Sequence, residues 1–234
     1  MDELTVSIVV PVLNEADTIV AALGRLQTLR SRGIELIVSD GGSSDGTTDL
    51  ARPSCDAMVR SAKGRATQMN AAARVATGDV LVFLHADTVL PSSAITDIRT
   101  ALKARTWGRF DVQIAGRSRW LPIVAQFMNL RSRLTGIATG DQTIFVLRKE
   151  FEAVGGYPEQ RLMEDIELSR RLRHRCRPAT LREKVVTAGR RWDENGPIRT
   201  ILLMWRLRLA YWLGASPSDL AERYQRLPRP PHTP

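Results

Sequence analysis

The 234-residue chain has only two cysteines and three histidines. Cys55 and Cys176 stand alone, so neither a zinc cluster nor a disulfide framework can be built, and the pattern fits a reducing compartment. Aromatic residues make up 6% of the chain, with three tyrosines, and none alternates with basic residues as in a single-strand nucleic-acid binder, so nucleic acid is not expected as a partner. Long apolar runs are missing too. The longest stretch, 201–213, is interrupted by Arg206 and Arg208 and is not expected to span a bilayer. Asp2 and Glu3 stand where a secretory signal would carry basic residues, so none is expected. There is no repeat, and the only biased segment is the proline-rich 227–234, expected to be a disordered tail.

What is present is ordinary for one large α/β domain: 43% hydrophobic and 25% charged residues. The net charge of +9 is unevenly spread. Residues 1–120 hold 14 Lys+Arg against 13 Asp+Glu, whereas 121–234 hold 20 against 12. A basic second half points to an anionic partner or a membrane surface.

The chain is organised around Gly78-Asp79-Val80-Leu81-Val82-Phe83-Leu84-His85-Ala86-Asp87. Five apolar residues between a Gly-Asp turn and a polar end predict a strand buried on both faces, as in a parallel sheet. Ligands bind beyond the carboxyl ends of such strands. In a strand-like conformation His85 and Asp87, two apart, point the same way, which suits a divalent cation and a diphosphate. A buried strand ending in a polar turn explains these residues equally well.

Upstream, Val6–Val12 predicts a first strand closed by Pro11, and Asp17 an N-cap for a helix running to Arg30. A second strand, 35–39, leads into Asp40-Gly41-Gly42-Ser43-Ser44-Asp45-Gly46-Thr47, a glycine- and serine-rich loop that lets backbone approach a ligand. Asp40 is placed to accept a hydrogen bond from a base or ribose, and Asp45 to cap the next helix. Lys63 and Arg65 flank Gly64 at a helix start, an arrangement that suits phosphate, although a solvated basic loop reads the same way.

Three of these segments together, Val9-Val10-Pro11-Val12-Leu13-Asn14-Glu15, Asp40–Thr47 and Leu84-His85-Ala86-Asp87, resemble family 2 glycosyltransferases of the GT-A fold. The resemblance covers roughly residues 5–192, and its subgroup is a bacterial one with undefined acceptors. It implies a mainly parallel, Rossmann-like sheet and inverting sugar transfer from a nucleotide-diphosphate donor, most often a UDP-sugar. By motif position Pro11, Asn14 and Glu15 line the nucleoside pocket with Gly41, and Asp40 holds the base. Asp87 carries the metal, Mn²⁺ or Mg²⁺, as the last residue of D-x-D. The first D is replaced by His85, which can ligate a cation, better Mn²⁺ than Mg²⁺, or touch the donor.

In the second half, Trp120–Leu134 reads as a helix with Leu121, Val124, Phe127, Met128 and Leu130 inward and Arg131 and Arg133 outward. Asp141 and Gln142 fall where the family faces donor sugar or acceptor. Glu164 and Asp165 open a helix, a position the helix dipole favours in any case. The resemblance makes Asp165 the general base and Glu164 its support. Arg191 and Trp192 look like a variant of the family's R-W motif, with arginines on the leaving diphosphate. Residues 197–213 form an amphipathic helix suited to anionic lipid, to a second subunit as a homodimer contact, or to the domain itself.

The expected organisation is a catalytic domain over 1–192, with a nucleotide-sugar half (1–106) and an acceptor half (107–192). C-terminal helices (193–226) and the tail follow. The chain is read as cytoplasmic, at the inner membrane face if the helix rests on lipid, with an unknown hydroxyl acceptor, lipid-linked in one version. Two rival readings are a sugar-nucleotide nucleotidyltransferase, which usually carries a glycine- and basic-rich loop in place of Leu13-Asn14-Glu15, and a non-catalytic nucleotide-sugar-binding protein.

Overall fold

The structure is a computed structural model that describes residues 3–225, without the side chains of Arg191, Asn195, Pro197, Ile198 and Gln225. The tail expected over 227–234 lies outside the described residues.

The chain alternates strand and helix at first. β1 (Val6–Val12) leads to α1 (Ala16–Gly24) and α2 (Gln27–Arg30), then β2 (Glu35–Asp40), α3 (Thr47–Ala51), β3 (Ala57–Arg60), α4 (Arg65–Val75) and β4 (Val80–Phe83). The second half runs through β5 (Thr88–Val89), α5 (Ala94–Ala101), β6 (Trp107–Ala115), α6 (Leu121–Thr135), β7 (Ile144–Leu147) and α7 (Arg148–Ala153). It closes with α8 (Glu164–Arg175), β8 (Ala179–Ala188), α9 (Arg190–Asn195), α10 (Pro197–Trp212) and α11 (Pro217–Gln225).

All eight strands form one sheet in the order β3-β2-β1-β4-β7-β6-β8-β5. The first four are mutually parallel, β6 and β8 pair in parallel, and β7 and β5 run antiparallel to their neighbours. The crossover from β1 to its outer neighbour β2 and back to its inner neighbour β4 leaves the tips of β1, β2 and β4 side by side, the usual position for a ligand cleft.

Period-two alternation assigns the core. Val6, Ile8, Val10 and Val12 of β1, with Val80 and Val82 of β4, pack against Ile19, Leu23 and Leu26 on one face. Val9, Leu81 and Phe83 meet Met69, Ala72 and Ala73 of α4 on the other. Phe110, Val112 and Phe145 belong to the first cluster, so the sequence halves 1–106 and 107–192 share one core. A third cluster joins Leu207 of α10 and Leu220 of α11 to Met163, just before α8. The C-terminal helices therefore pack beside the segment that carries Glu164 and Asp165.

Two local expectations change. The helix expected to continue to Arg30 is interrupted after Gly24, and Asp17 lies in the first turn of α1 with Glu15 at the cap position. α6 is turned the other way round. Leu121 and Val124 are buried as expected, but Phe127 and Leu130 are 65% and 53% exposed, while Asn129 and Ser132 are buried and buried nitrogens of Arg131 lie on the inward side. Polar partners across the sheet explain the turn: Asn129 bonds both the N–H and the carbonyl of Val112 on β6, at 2.9 and 3.0 Å.

Candidate active site

The loops at the tips of β1 and β2 hold each other. Asn14 adopts a left-handed backbone (φ +53°), with its N–H on Ser43 Oγ at 2.8 Å and its side-chain oxygen accepting the Ser44 N–H at 2.9 Å. Glu15 donates its N–H to Thr47 Oγ1 at 2.8 Å, and Ala16 donates its N–H to Asp45 at 3.0 Å. Asp45 thus caps α1 from the neighbouring loop, and the Thr47 hydroxyl above all, with that Ala16 N–H, holds its pKa below the ordinary aspartate value. Asp40 is 1% exposed and accepts N–H groups from Gly42 (3.0 Å) and Ser43 (3.1 Å) of its own loop. It also borders a cavity of about 190 Å³ with Ser43, Thr48, Met58 and Arg60.

Beneath these loops the buried Gln68 donates to the carbonyls of Val12 (2.7 Å) and Ser39 (2.9 Å), tying both strand tips to α4. Its amide lies so near Gly41 that a Cβ there would come within 2.9 Å of Gln68 Cδ. Pro11 is half-buried at the end of β1, and Lys63 and Arg65 stand exposed at the start of α4.

At the tip of β4 the chain turns instead of staying extended, with the Thr88 N–H on the His85 carbonyl at 3.0 Å. The i, i+2 alternation that would aim His85 and Asp87 at one point does not apply inside such a turn. His85 Nδ1 lies 3.6 Å from Asp141 Oδ1, and its ring packs on Gly140, where a Cβ would sit 2.6 Å from His85 Cε1. Asp87 faces Arg190 instead (3.9 Å) and borders a cavity of about 360 Å³ with Asp17, Thr18, Thr187 and Arg190. No group of three or more His, Cys, Asp or Glu placed to hold a metal occurs among the described residues.

The helix opening with Glu164 and Asp165 meets this region from the other side. Asp165 accepts the Gly140 N–H at 2.8 Å and the Ile166 N–H at 2.7 Å. Gly140 therefore carries His85 on one side and Asp165 on the other. Glu164 is 7% exposed, and burial, with the charge of Asp165 second, raises its pKa, while Arg65 and His85 pull it back. Those influences place the start of α4, the tip of β4 and the start of α8 around one point. Thr143 (φ +50°) and Met163 (φ +65°), next to these segments, take left-handed backbones that are costly for such residues, a feature that clusters at functional sites.

Several expected residues have other surroundings. Gln142 is fully buried and donates to Asn129 Oδ1 at 3.3 Å, so its amide belongs to the scaffold under Asp141. Trp192 packs against the main core. The Arg191 side chain lies outside the described residues, and the arginine of that segment that faces Asp87 is Arg190. Arg131 of α6 and Arg208 of α10 were not anticipated. Burial lowers the pKa of both, Arg131 to about 10, and both are electrostatically linked to Asp165. The amphipathic patterns of the two helices gave no warning, because arginine is normally assigned outward.

The curled α/β sheet with converging tips of β1, β2 and β4, and a carboxylate pair opposite, defines the GT-A glycosyltransferase fold. Residues 7–155 match the family described as Glycosyl transferase family 2, and the chain belongs to that family. No curated protein sequence matches it. Among solved structures it is similar to a mannosyltransferase from Pyrobaculum calidifontis in complex with GDP-Man and Mn²⁺, at 22% identity and a TM-score of 0.62, over 97% of this chain and 71% of that one. Glucosyl-3-phosphoglycerate synthase from Mycobacterium tuberculosis, with Mn²⁺, UDP and glucosyl-3-phosphoglycerate, matches at 21% identity and TM-score 0.62, over 90% and 79%. TarS 1-349 from S. aureus with UDP-GlcNAc matches at 19% and 0.65, over 79% of this chain and 58% of that one.

Proposed function

We propose that the chain is an inverting glycosyltransferase that moves a sugar from a nucleoside-diphosphate donor to a hydroxyl acceptor. The observation that carries this is the junction at Gly140, where the donor-side strand tip, through His85, and the carboxylate Asp165 meet on one residue. Asp165 takes the proton of the acceptor hydroxyl as the new bond forms, and Glu164 supports its placement. A single positioned base suffices for inversion, and such proton transfer contributes about 10²–10⁴-fold.

On the donor side, Asn14, Glu15, Asp40 and Gly41 shape the nucleoside site with Pro11, while Lys63, Arg65 and Arg190 face the diphosphate. Asp141 and His85 orient the sugar, and Trp192 braces the arginine segment. The residues fit a divalent cation held by one carboxylate, since Asp87 is 33% exposed at the strand tip and diphosphate oxygens and water can complete the shell. A bound cation would neutralise charge on the leaving diphosphate. Donors and Mn²⁺ in the neighbouring structures support a nucleotide sugar and Mn²⁺ here, and uridine and guanosine donors are both to be tried.

A membrane-surface acceptor is a second reading. Trp205, Leu209 and Trp212 are 67%, 57% and 81% exposed on α10, with Arg199 and Arg206 exposed beside them, which suits anionic lipid. No helix among the described residues is long and apolar enough to cross a membrane, so the contact in this reading is peripheral, and self-association through the same face is its alternative.

The test is release of nucleoside diphosphate from a panel of UDP- and GDP-sugars, with Mn²⁺ or Mg²⁺. Metal-dependent hydrolysis by the wild type, lost in Asp87→Ala, is the expected result. Binding with no turnover under either metal would make the protein a binder. Pyrophosphate release from a nucleoside triphosphate and a sugar phosphate would make it a nucleotidyltransferase.

A further inference from the structure

On the acceptor side of the site, two half-buried arginines keep inward nitrogens without a partner. Two others on this side hold a carboxylate: Arg109, fully buried with its own Nε unbonded, and Arg133 both bind Asp111. Arg131 and Arg208 have no such partner. Nε and Nη2 of Arg131 and Nε of Arg208 are buried without a hydrogen bond, and neither guanidinium is in an ion pair among the described residues. Inward N–H groups without an acceptor lose the hydrogen bonds that water would give them.

Both helices keep a buried apolar stripe, Leu121, Val124 and Ala125 on α6 and Leu207 on α10, but leave other large apolar side chains exposed. α6 exposes Phe127, Leu130 and Leu134 (65%, 53% and 70%) and α10 exposes Trp205, Leu209 and Trp212, while Arg131 and Arg208 point inward. The two guanidiniums lie within electrostatic reach of one another and of Asp165, and Arg208 is also within reach of Asp141. α10 approaches from the side of Leu162, Met163 and Ile166, next to Asp165, whereas Arg190 and Asp87 face each other at the tip of β4.

We propose that Arg131 and Arg208 form an anion subsite for the acceptor, holding a phosphate monoester close to the hydroxyl that Asp165 deprotonates. The inference rests on the transferase reading above. Two planar forks with open N–H groups match the several oxygens of a phosphate better than a single carboxylate. A bound dianion would also relieve the repulsion between the two cations. Arg131 remains charged near neutral pH even with its pKa lowered to about 10.

The probe is inorganic phosphate, titrated by calorimetry into protein saturated with UDP and Mg²⁺ so that donor sites are filled. Arg131→Gln or Arg208→Gln is expected to weaken phosphate by about 10- to 100-fold, the worth of a charge-assisted hydrogen bond. Arg131→Lys, which keeps charge without the fork, falls between, and Arg105→Gln, exposed just before β6, stays within about twofold of wild type. Thermal melts check folding, and removing a guanidinium with unpartnered inward nitrogens is expected to leave the melting point equal or higher. Equal phosphate affinity in the wild type and both Gln variants overturns the subsite. So does an equal loss of UDP affinity, which would assign the arginines to the donor.

Glycerol 3-phosphate and vesicles of phosphatidylcholine with phosphatidate then compete with phosphate. Displacement by either supports the subsite and names its source as soluble or lipid-borne, and displacement by neither overturns it. Arg131-dependent phosphate binding without nucleotide-sugar hydrolysis would remove only the transferase reading. Hydrolysis with phosphate binding indifferent to Arg131 would remove only the subsite.

Discussion

The two sides of the cleft are built on opposite plans. On the donor side the side chains of the β1 and β2 loops close bonds within the protein: Asn14 and Asp45 lock the first loop to the second, Asp40 holds its own turn, and Gln68 clamps two strand tips. On the acceptor side, α6 and α10 carry guanidiniums with unbonded nitrogens in electrostatic reach of Asp165 and leave part of their apolar side chains, Phe127, Leu130, Trp205 and Trp212 among them, in water. The first plan gives a rigid cradle that needs no ligand to complete it. The second gives a surface whose polar groups are completed only by something brought in.

The sharpest way to break this comparison is Asp165→Asn. Release of sugar to water or acceptor should fall by about 10²–10⁴-fold, with UDP affinity unchanged, because the amide keeps an oxygen for the Gly140 or Ile166 N–H but cannot take the acceptor proton. A parallel loss of UDP binding would mean that the segment at Gly140 belongs to the donor cradle, and the two plans would merge. Next in size is Gln68→Ala. It removes two buried hydrogen bonds, although the Val12 carbonyl keeps the Gly41 N–H at 3.0 Å, and should cost about 1–3 kcal/mol in urea unfolding. Arg131→Gln, equally a loss of an inward polar side chain, should cost nothing; similar losses for both would erase the difference between the sides.

Much of the first side was legible in the sequence because its physics is local. Five apolar residues in Val80–Leu84 can only be a buried strand or a piece of buried helix, and the Gly-Asp turn before them decides. The loop from Asp40 to Thr47 advertises its conformations through glycine, with φ of +93° at Gly42 and +88° at Gly46. The second side was less readable. Periodicity read residues 120–134 as a helix, one residue off the observed Leu121–Thr135, but assigned the wrong face over its second half, because Asn129 bonding to Val112 is a long-range event. The turn at residues 85–88, which separates the surroundings of His85 and Asp87, is equally invisible to an argument from strand alternation. Arg190 directly precedes the Arg191-Trp192 motif in the sequence, yet its facing of Asp87 depends on how β8 ends.

A smaller effect tests the junction between the two sides. Burial and the neighbouring charge of Asp165 raise the Glu164 pKa, so the folded protein binds that proton more tightly than the unfolded chain. Stability from this group is therefore full below the unfolded value, about 4.3, and falls as pH rises from there to the raised native value. Glu164→Gln should melt like wild type near pH 4 and above it at pH 7. Parallel melting curves across that range would show that Arg65 and His85 compensate the buried carboxylate fully.

The smallest expected effect on stability concerns the outward face of the second side. Trp205 and Trp212 are 67% and 81% exposed, so Trp205→Ser with Trp212→Ser should change unfolding free energy by no more than about 0.5 kcal/mol per site. Co-sedimentation with phosphatidylglycerol vesicles should nevertheless fall sharply, because an interfacial helix binds through the apolar area it inserts and its flanking cations only assist. Sedimentation velocity of the same variants separates the alternatives. If the wild type dimerises and the double variant does not, a second copy covers this face; if the wild type neither dimerises nor binds vesicles, the outward tryptophans serve only to free the inner face of α10 for Arg208.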